Sequence, residues 1–241
     1  MNILMIDTSG PACGVAVMRD GQMICELQLT SGKTHSQRVM PMVDQALAMC
    51  EMGIGDIDLF GAVVGPGSFT GVRIGVSSVK ALAHAANKPC IGVDALEALA
   101  ANVIGFDGVI CPILDARAQQ VYGAMFESGM PPKRLMEDEV EKLTLFLDRI
   151  EATGRDALFL GDGMAAFEAP IRERLGDKAR FVPAQHAGLR AASACALAHE
   201  YAKDENNLKD CMTLLPLYLR APQAERERAA KLAAQKENAN G

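Results

Sequence analysis

The chain has 241 residues, 49% of them hydrophobic and 22% charged, which is enough for a sizeable core in one large domain or in two lobes of about 100 residues each. Its net charge of −6 argues against a self-sufficient nucleic-acid binder, and no apolar run approaches the ~20 residues of a membrane span. The 7 cysteines include no Cys-x-x-Cys pair, which points to reduced thiols in a cytoplasm and away from a zinc site. Cys25, Cys90, Cys111 and Cys195 sit in apolar runs and are expected in the core. The opening residues read as a strand rather than a basic leader, so no signal peptide is expected.

Residues 3–7 read as a buried strand, followed by a turn at Thr8-Ser9-Gly10-Pro11. A second strand covers 14–18, Arg19-Asp20-Gly21 is a hairpin turn, and a third strand with alternating burial covers 23–30. After a loop at 31–34, a helix is expected over 35–52, closed by Gly53. A strand over 58–64 leads into Gly65-Pro66-Gly67-Ser68-Phe69-Thr70-Gly71. The glycines permit a sharp turn, and Ser68 or Thr70 can cap a helix that runs to about residue 87. Such a turn can aim free N–H groups at an anion, or it can simply connect strand to helix. A strand over 89–93 and a short helix over 95–103 complete this half.

The second half repeats the order. Strands are expected over 109–114, 121–127 and 133–137, a helix over 140–153 and a strand over 157–160. A glycine turn at Gly161-Asp162-Gly163, a helix over 164–175, a short strand at 181–182 and a helix over 187–203 follow. Leu114-Asp115 is the counterpart of Ile6-Asp7, and Gly161-Asp162-Gly163 that of Gly65-Pro66-Gly67. A duplicated βββαβα unit implies two similar α/β lobes with a cleft between them. The last helix, 187–203, is expected to pack back toward the first lobe. The expected boundaries are 1–105 and 106–222, with a charged tail over 223–241 as frayed helix or disorder.

A duplicated βββαβα lobe with an acid ending its first strand resembles the actin-like (ASKHA) superfamily. Within it, Ile6-Asp7-Thr8-Ser9, Thr34-His35-Ser36, the run from Gly65 to Gly75 and Leu217-Tyr218-Leu219-Arg220 are similar to the TsaB (YeaZ) family. The resemblance covers residues 1 to about 222. It implies a partner subunit in bacterial synthesis of threonylcarbamoyladenosine in tRNA, without catalysis of its own, located in the cytoplasm. It further implies a TsaD-like catalytic partner and a TsaE-like ATPase reached through the complex. A homodimer would form when the partner is absent, tRNA would be met only through the complex, and no membrane or cofactor is involved. The catalytic relative TsaD carries His-x-x-x-His as metal ligands, and those positions fall here on Ala95 and Leu99, which have no lone pair to donate. The stretch 183–188, where TsaD has an acidic ligand, holds no carboxylate. No metal site and no peptidase activity are therefore expected. The competing reading is a stand-alone enzyme of the superfamily, a glycoprotease-like peptidase or a small-molecule kinase.

In that frame Asp7, Thr8, Ser9 and Asp115 are vestigial cleft residues, since Gly10-Pro11-Ala12-Cys13 is not a glycine-rich phosphate loop. Paired carboxylates could still serve acid/base chemistry. His35 could cap a helix or bind. For contacts to a partner, the 35–52 helix carries Val39, Val43, Ala46, Leu47 and Cys50 on one stripe, flanked by Met42 and Met49 on one side and Met40 on the other. The 69–87 helix carries Arg73, Ser77, Lys80 and His84 on one stripe, with little else that is polar. These helices are expected to dimerise in a four-helix bundle through Met42, Met49, Arg73, Ser77, Lys80 and His84. The plainer alternatives are core filler for the methionines and a central core position for the second helix.

Overall fold

The computed structural model describes residues 1–31 and 34–220. The centre of the loop expected at 31–34 and the expected tail over 223–241 lie outside the described residues. The first half folds as β1 (Asn2–Asp7), β2 (Cys13–Arg19), β3 (Gln22–Leu29), α1 (Val39–Met49), β4 (Leu59–Gly65), α2 (Phe69–Ala86), β5 (Cys90–Asp94) and α3 (Ala95–Ala100). The second half repeats it as β6 (Val109–Asp115), β7 (Gln120–Glu127), β8 (Lys133–Lys142), α4 (Leu143–Ala152), β9 (Ala157–Leu160), α5 (Met164–Leu175), β10 (Ala179–Phe181), α6 (Ala184–Ala187) and α7 (Ala191–Tyr201).

Each half builds a mixed five-stranded sheet of the same topology, β3-β2-β1-β4-β5 and β10-β9-β6-β7-β8. In both, the first three strands meander antiparallel and the last two add in parallel beside the first. The reason lies in the strand sequences. Ile3 and Met5 of β1 point into one core cluster while Leu4 and Ile6 point into another, so both faces of the strand are apolar and both must be covered. Helices α1 and α2 cover the outer face of the first sheet, and α4 and α5 the outer face of the second. Helices α3 and α7 lie between the sheets. α3, from the first half, packs on β6 and β7, and α7, from the second, packs on β1 and β2. The last helix thus returns to the first lobe, as expected, and each lobe completes the other's core.

Several boundaries differ from expectation, each for a local reason. α1 starts at Val39 rather than 35, because Pro41 has no N–H to donate to the Gln37 carbonyl, and the Met42 N–H donates to the Arg38 carbonyl at 3.0 Å instead. The proline is tolerated only in the first turn, and His35–Gln37 forms a separate 3-10 turn. The helix ends on Glu51, in a left-handed conformation at φ 54°, and not at Gly53. β8 continues to Lys142, so the following helix begins at Leu143; Val140 and Glu141 pair with β7 instead. β3 is an edge strand, exposed at both ends and half-buried only at Cys25, Glu26 and Leu27, so alternating burial is not observed there. Cys25 is accordingly half-buried, whereas Cys90, Cys111 and Cys195 are core thiols.

Candidate functional site

The loops after β1, β4, β6 and β9 face one another across a cleft of about 420 Å³ between the lobes. Its walls carry Ser9, Ser68, Phe69, Asp115, Arg117, Tyr122 and Asp162, and one side is closed by Leu217 to Arg220. An adjoining pocket of about 340 Å³ is lined by Asp7, Gln28, Asp162 and Arg190.

The glycine run is used up by packing. A Cβ on Gly67 would stand 2.4 Å from the Ser9 carbonyl oxygen, and one on Gly71 2.0 Å from that of Thr8. The Ser68 N–H donates to the Ser9 carbonyl at 2.7 Å, and the Ser68 hydroxyl caps α2 by accepting from the Gly71 N–H at 3.2 Å. Thr8 Oγ1 donates to the Gly71 carbonyl at 2.7 Å. The turn thus presses α2 against the end of β1. Of the two sequence readings, the connection is what these contacts describe, and the anion cradle is not formed at these groups.

Asp7, Thr8 and Ser9 are all buried. Asp7 Oδ1 accepts from the Ser9 N–H at 2.8 Å and from the Ser9 hydroxyl at 2.7 Å. Burial pushes the Asp7 carboxyl up to about 6, against the Ser9 hydrogen bonds and the nearby His35, which lower it. Asp115 takes the Arg117 N–H at 2.8 Å and its guanidinium at 3.2 Å. Its own N–H donates to Asp162 Oδ1 at 3.1 Å. Asp162 is exposed to the cleft, yet the crowding walls raise its carboxyl above the ordinary range, opposed by the N–H groups of Asp115 and Gly163. The carboxylates brought together are therefore Asp115 and Asp162, while Asp7 lines the adjoining pocket. Asp162 carries no pattern signal; only its place in the Gly161-Asp162-Gly163 turn, opposite the first glycine turn, could have marked it. His35 does not cap a helix: its Nε2 donates to the Gly10 carbonyl at 3.0 Å and holds that loop, close enough to Asp7 for its charge to act on that carboxyl.

The residues expected at a partner surface divide. Met49 is 63% exposed, but Met42 is 7% exposed and packs in the core under α1. The expectation for Met42 is corrected: it packs with Val39, Val43 and Ala46, whereas Met49, seven residues further along the same side, is the last residue of the helix. Ser77 is exposed on α2. Arg73, Lys80 and His84 are engaged within the chain. The Arg73 guanidinium lies 3.9 Å over the Phe69 ring and donates to the Tyr218 hydroxyl at 2.8 Å. Lys80 donates to the carbonyls of Met212 and Leu214 at 3.3 and 3.1 Å, and His84 Nδ1 lies 3.8 Å from Cys211 Sγ. The narrow polar stripe is thus in large part the seat of the C-terminal segment. Ala95 and Leu99 are fully buried between the sheets. Among the described residues, no group of three or more His, Cys, Asp or Glu side chains could hold a metal ion, and no helix is long and apolar enough to cross a membrane.

Two duplicated lobes with crossed-over helices and a cleft at the ends of their first and fourth strands define an actin-like α/β protein. The particular family follows from comparison. Residues 29–228 match the family model described as TsaD, tRNA N6-adenosine threonylcarbamoyltransferase. The tRNA threonylcarbamoyladenosine biosynthesis protein TsaB of Bacillus subtilis (strain 168) is 36% identical over 93% of this chain and 96% of its own length. The TsaB protein of Escherichia coli (strain K12) is 38% identical over 53% of this chain and 55% of its own. The solved structure of YeaZ from Pseudomonas aeruginosa superposes with a TM-score of 0.73 at 26% identity, covering 90% of this chain and 99% of that one. The chain belongs to the TsaB (YeaZ) family.

Proposed function

We propose that this chain is a partner subunit in the synthesis of threonylcarbamoyladenosine in tRNA, activating a TsaD-like catalytic subunit without performing the transfer itself. The observation that carries the reading is at Ala95 and Leu99. They stand where the catalytic relative has metal-binding histidines, and both are closed into the interlobe core with 0% exposure. A metal ligand needs a lone pair and a path to the ion, and these positions supply neither. The cleft supports the same reading, because the hydroxyls of Thr8 and Ser9 are spent on internal hydrogen bonds.

The first lobe, residues 1–105, is the docking lobe, and residues 106–222 form the second. The exposed sides of α1 and α2 are the contact surface, with Met40 and Met49 of α1 as adaptable apolar contacts and Ser77 on the exposed side of α2. A TsaE-like ATPase and tRNA are met through the complex. The same face closes a homodimer when the partner is missing. The deciding experiment purifies the chain with the TsaD-like protein of the same organism and measures threonylcarbamoylation with and without it. Equal activity without the chain would sink the reading, as would stoichiometric, tightly held zinc or iron in the chain alone. Met49→Glu places a charge in a desolvated contact and should weaken association by about tenfold or more, with the unfolding midpoint unchanged. Pull-down and size-exclusion titrations check this.

A further inference from the structure

The stretch after α7 crosses the first lobe and reaches the second, and each step has a contact. The Cys90 and Lys209 backbones exchange a pair of hydrogen bonds at 2.8 Å on the free edge of β5. Lys80 holds the carbonyls of Met212 and Leu214. The Leu217 N–H donates to the Val64 carbonyl at 2.7 Å, and the Tyr218 ring stacks on Phe69 with centroids 4.6 Å apart. Arg73, on the exposed side of α2, lies over Phe69 and donates to the Tyr218 hydroxyl. At the far end, Arg220 Nη1 donates to the Ala116 carbonyl at 2.9 Å, in the second lobe. Ala116 opens the β6–β7 hairpin, in which Arg117, Ala118 and Gln119 all have positive φ, at 66°, 52° and 60°. None of these is glycine, so the hairpin is strained and depends on its surroundings to stay in place. Residues 217–220 also line the cleft itself.

We infer that residues 217–220 form a latch across the cleft, coupling Arg73 on the exposed side of α2 to the β6–β7 hairpin of the other lobe. Tyr218 is the middle of the chain of contacts: its ring rests on α2, its hydroxyl accepts from Arg73, and its backbone leads directly to Arg220. Loss of the Arg73 bond frees the ring, the ring frees the backbone, and the hairpin loses its carbonyl's partner. Two distant sites then respond to one element, which is the physical content of coupling. The latch belongs to the chain alone, so its test is independent of any partner protein.

The test is amide hydrogen exchange on the full chain, comparing wild type, Arg73→Ala, Arg220→Ala and the double variant. The Leu217 and Gln120 amides are the reporters, since both are hydrogen-bonded when the latch is closed. Amides in α4 and α5 serve as the internal reference for intact folding. Arg73→Ala should speed exchange at Leu217 and also at Gln120 by about fivefold, the effect of one lost hydrogen bond on a local opening equilibrium. Arg220→Ala should do the same at Gln120, and the double variant should add little, because the two residues act through one element. Exchange at Gln120 that rises in Arg220→Ala but stays at the wild-type rate in Arg73→Ala would overturn the coupling. Unchanged exchange at Gln120 in both would overturn the latch itself. Tyr218→Phe, which keeps the ring and removes only the hydroxyl, supplies the milder variant should Arg73→Ala disturb the helix: faster exchange at Gln120 supports the coupling, and an unchanged rate overturns it.

Discussion

Asp7 is the residue at which burial and hydrogen bonding oppose each other most directly. Its carboxyl is 2% exposed and is pushed up to about 6 although Ser9 donates to it twice. A carboxyl whose folded value lies above its unfolded value of 3.8 binds its proton more tightly in the folded state. Its contribution is therefore fully present below 3.8 and is lost as pH rises through about 6. The loss at neutral pH is on the order of 3 kcal/mol. Asp7→Asn keeps an acceptor for both Ser9 donors and removes the charge. It should stabilise the protein by up to about 3 kcal/mol at about pH 8 and by nothing at about pH 4. Urea midpoints across that range would show it, and a gain independent of pH would refute it. At this scale the sequence is partly legible. Asp7 and Asp115 are marked by their place at the ends of equivalent strands, but that place says nothing about their surroundings. Asp162 and Arg220 sit in irregular segments, where no period says which way a side chain faces. Met42 and Met49 flank the same stripe, and only the sheet beneath α1 decides that one is core and the other surface.

At the scale of the element, the order of strands and helices is legible because central strands such as β1 and β6 have two apolar faces, whereas helices such as α1 and α4 have one. Less legible is what ends them. Pro41 shortens α1 from its start, and an alternating run carries β8 on to Lys142 where a helix was expected. The polar stripe of α2 shows how a correct pattern can have a different cause: its cations meet the chain's own C-terminal segment, which has no periodicity to announce it. The glycines of α2 set the distance between helix and strand. At Gly71 the helix comes so near the end of β1 that a Cβ would lie 2.0 Å from a main-chain oxygen, which cannot move as a flexible side chain could. Gly71→Ala should then cost about 3 kcal/mol, despite the better helix propensity of alanine, because overpacking against backbone outweighs it. Gly10→Ala, where nothing lies within 4 Å of the added atom, is the control and should leave stability unchanged. Equal thermal midpoints for both variants would show that α2 can shift away from β1.

At the scale of the molecule, each lobe lends a helix to the other, so the join between them is a core and not a hinge of loops. A polar cluster stands at its edge. Asp94 ends β5 and caps α3 by accepting from the Glu97 N–H at 2.7 Å, while Arg134 of β8, in the other lobe, lies 3.5 Å from it and also pairs with Asp138. The Arg134 guanidinium rests 4.6 Å over the Phe126 ring, and the Tyr201 hydroxyl of α7 donates to Glu97. The side chains of Asp94 and Asp138 are only 13% and 8% exposed. Burial, and then the hydrogen bond and charge of Asp138, raise the Asp94 carboxyl well above its ordinary range, whereas Arg134 lowers it. One arginine thus allows two crowded carboxyls from different lobes to lie side by side. Arg134→Met fills much of the same space and leaves the acids without their cation. The destabilisation should be about 3 kcal/mol at about pH 8, the cost of leaving a buried pair half unpaired. It should be smaller at about pH 5, where protons can take the cation's place. The sign follows from Asp94. Without Arg134 its folded value rises further above 3.8, so the stability it loses as pH increases is lost over a wider span. Chemical unfolding of wild type and variant at both pH values measures the difference. A penalty that is the same at the two would mean that the cluster is held by packing on Phe126 and not by its charges.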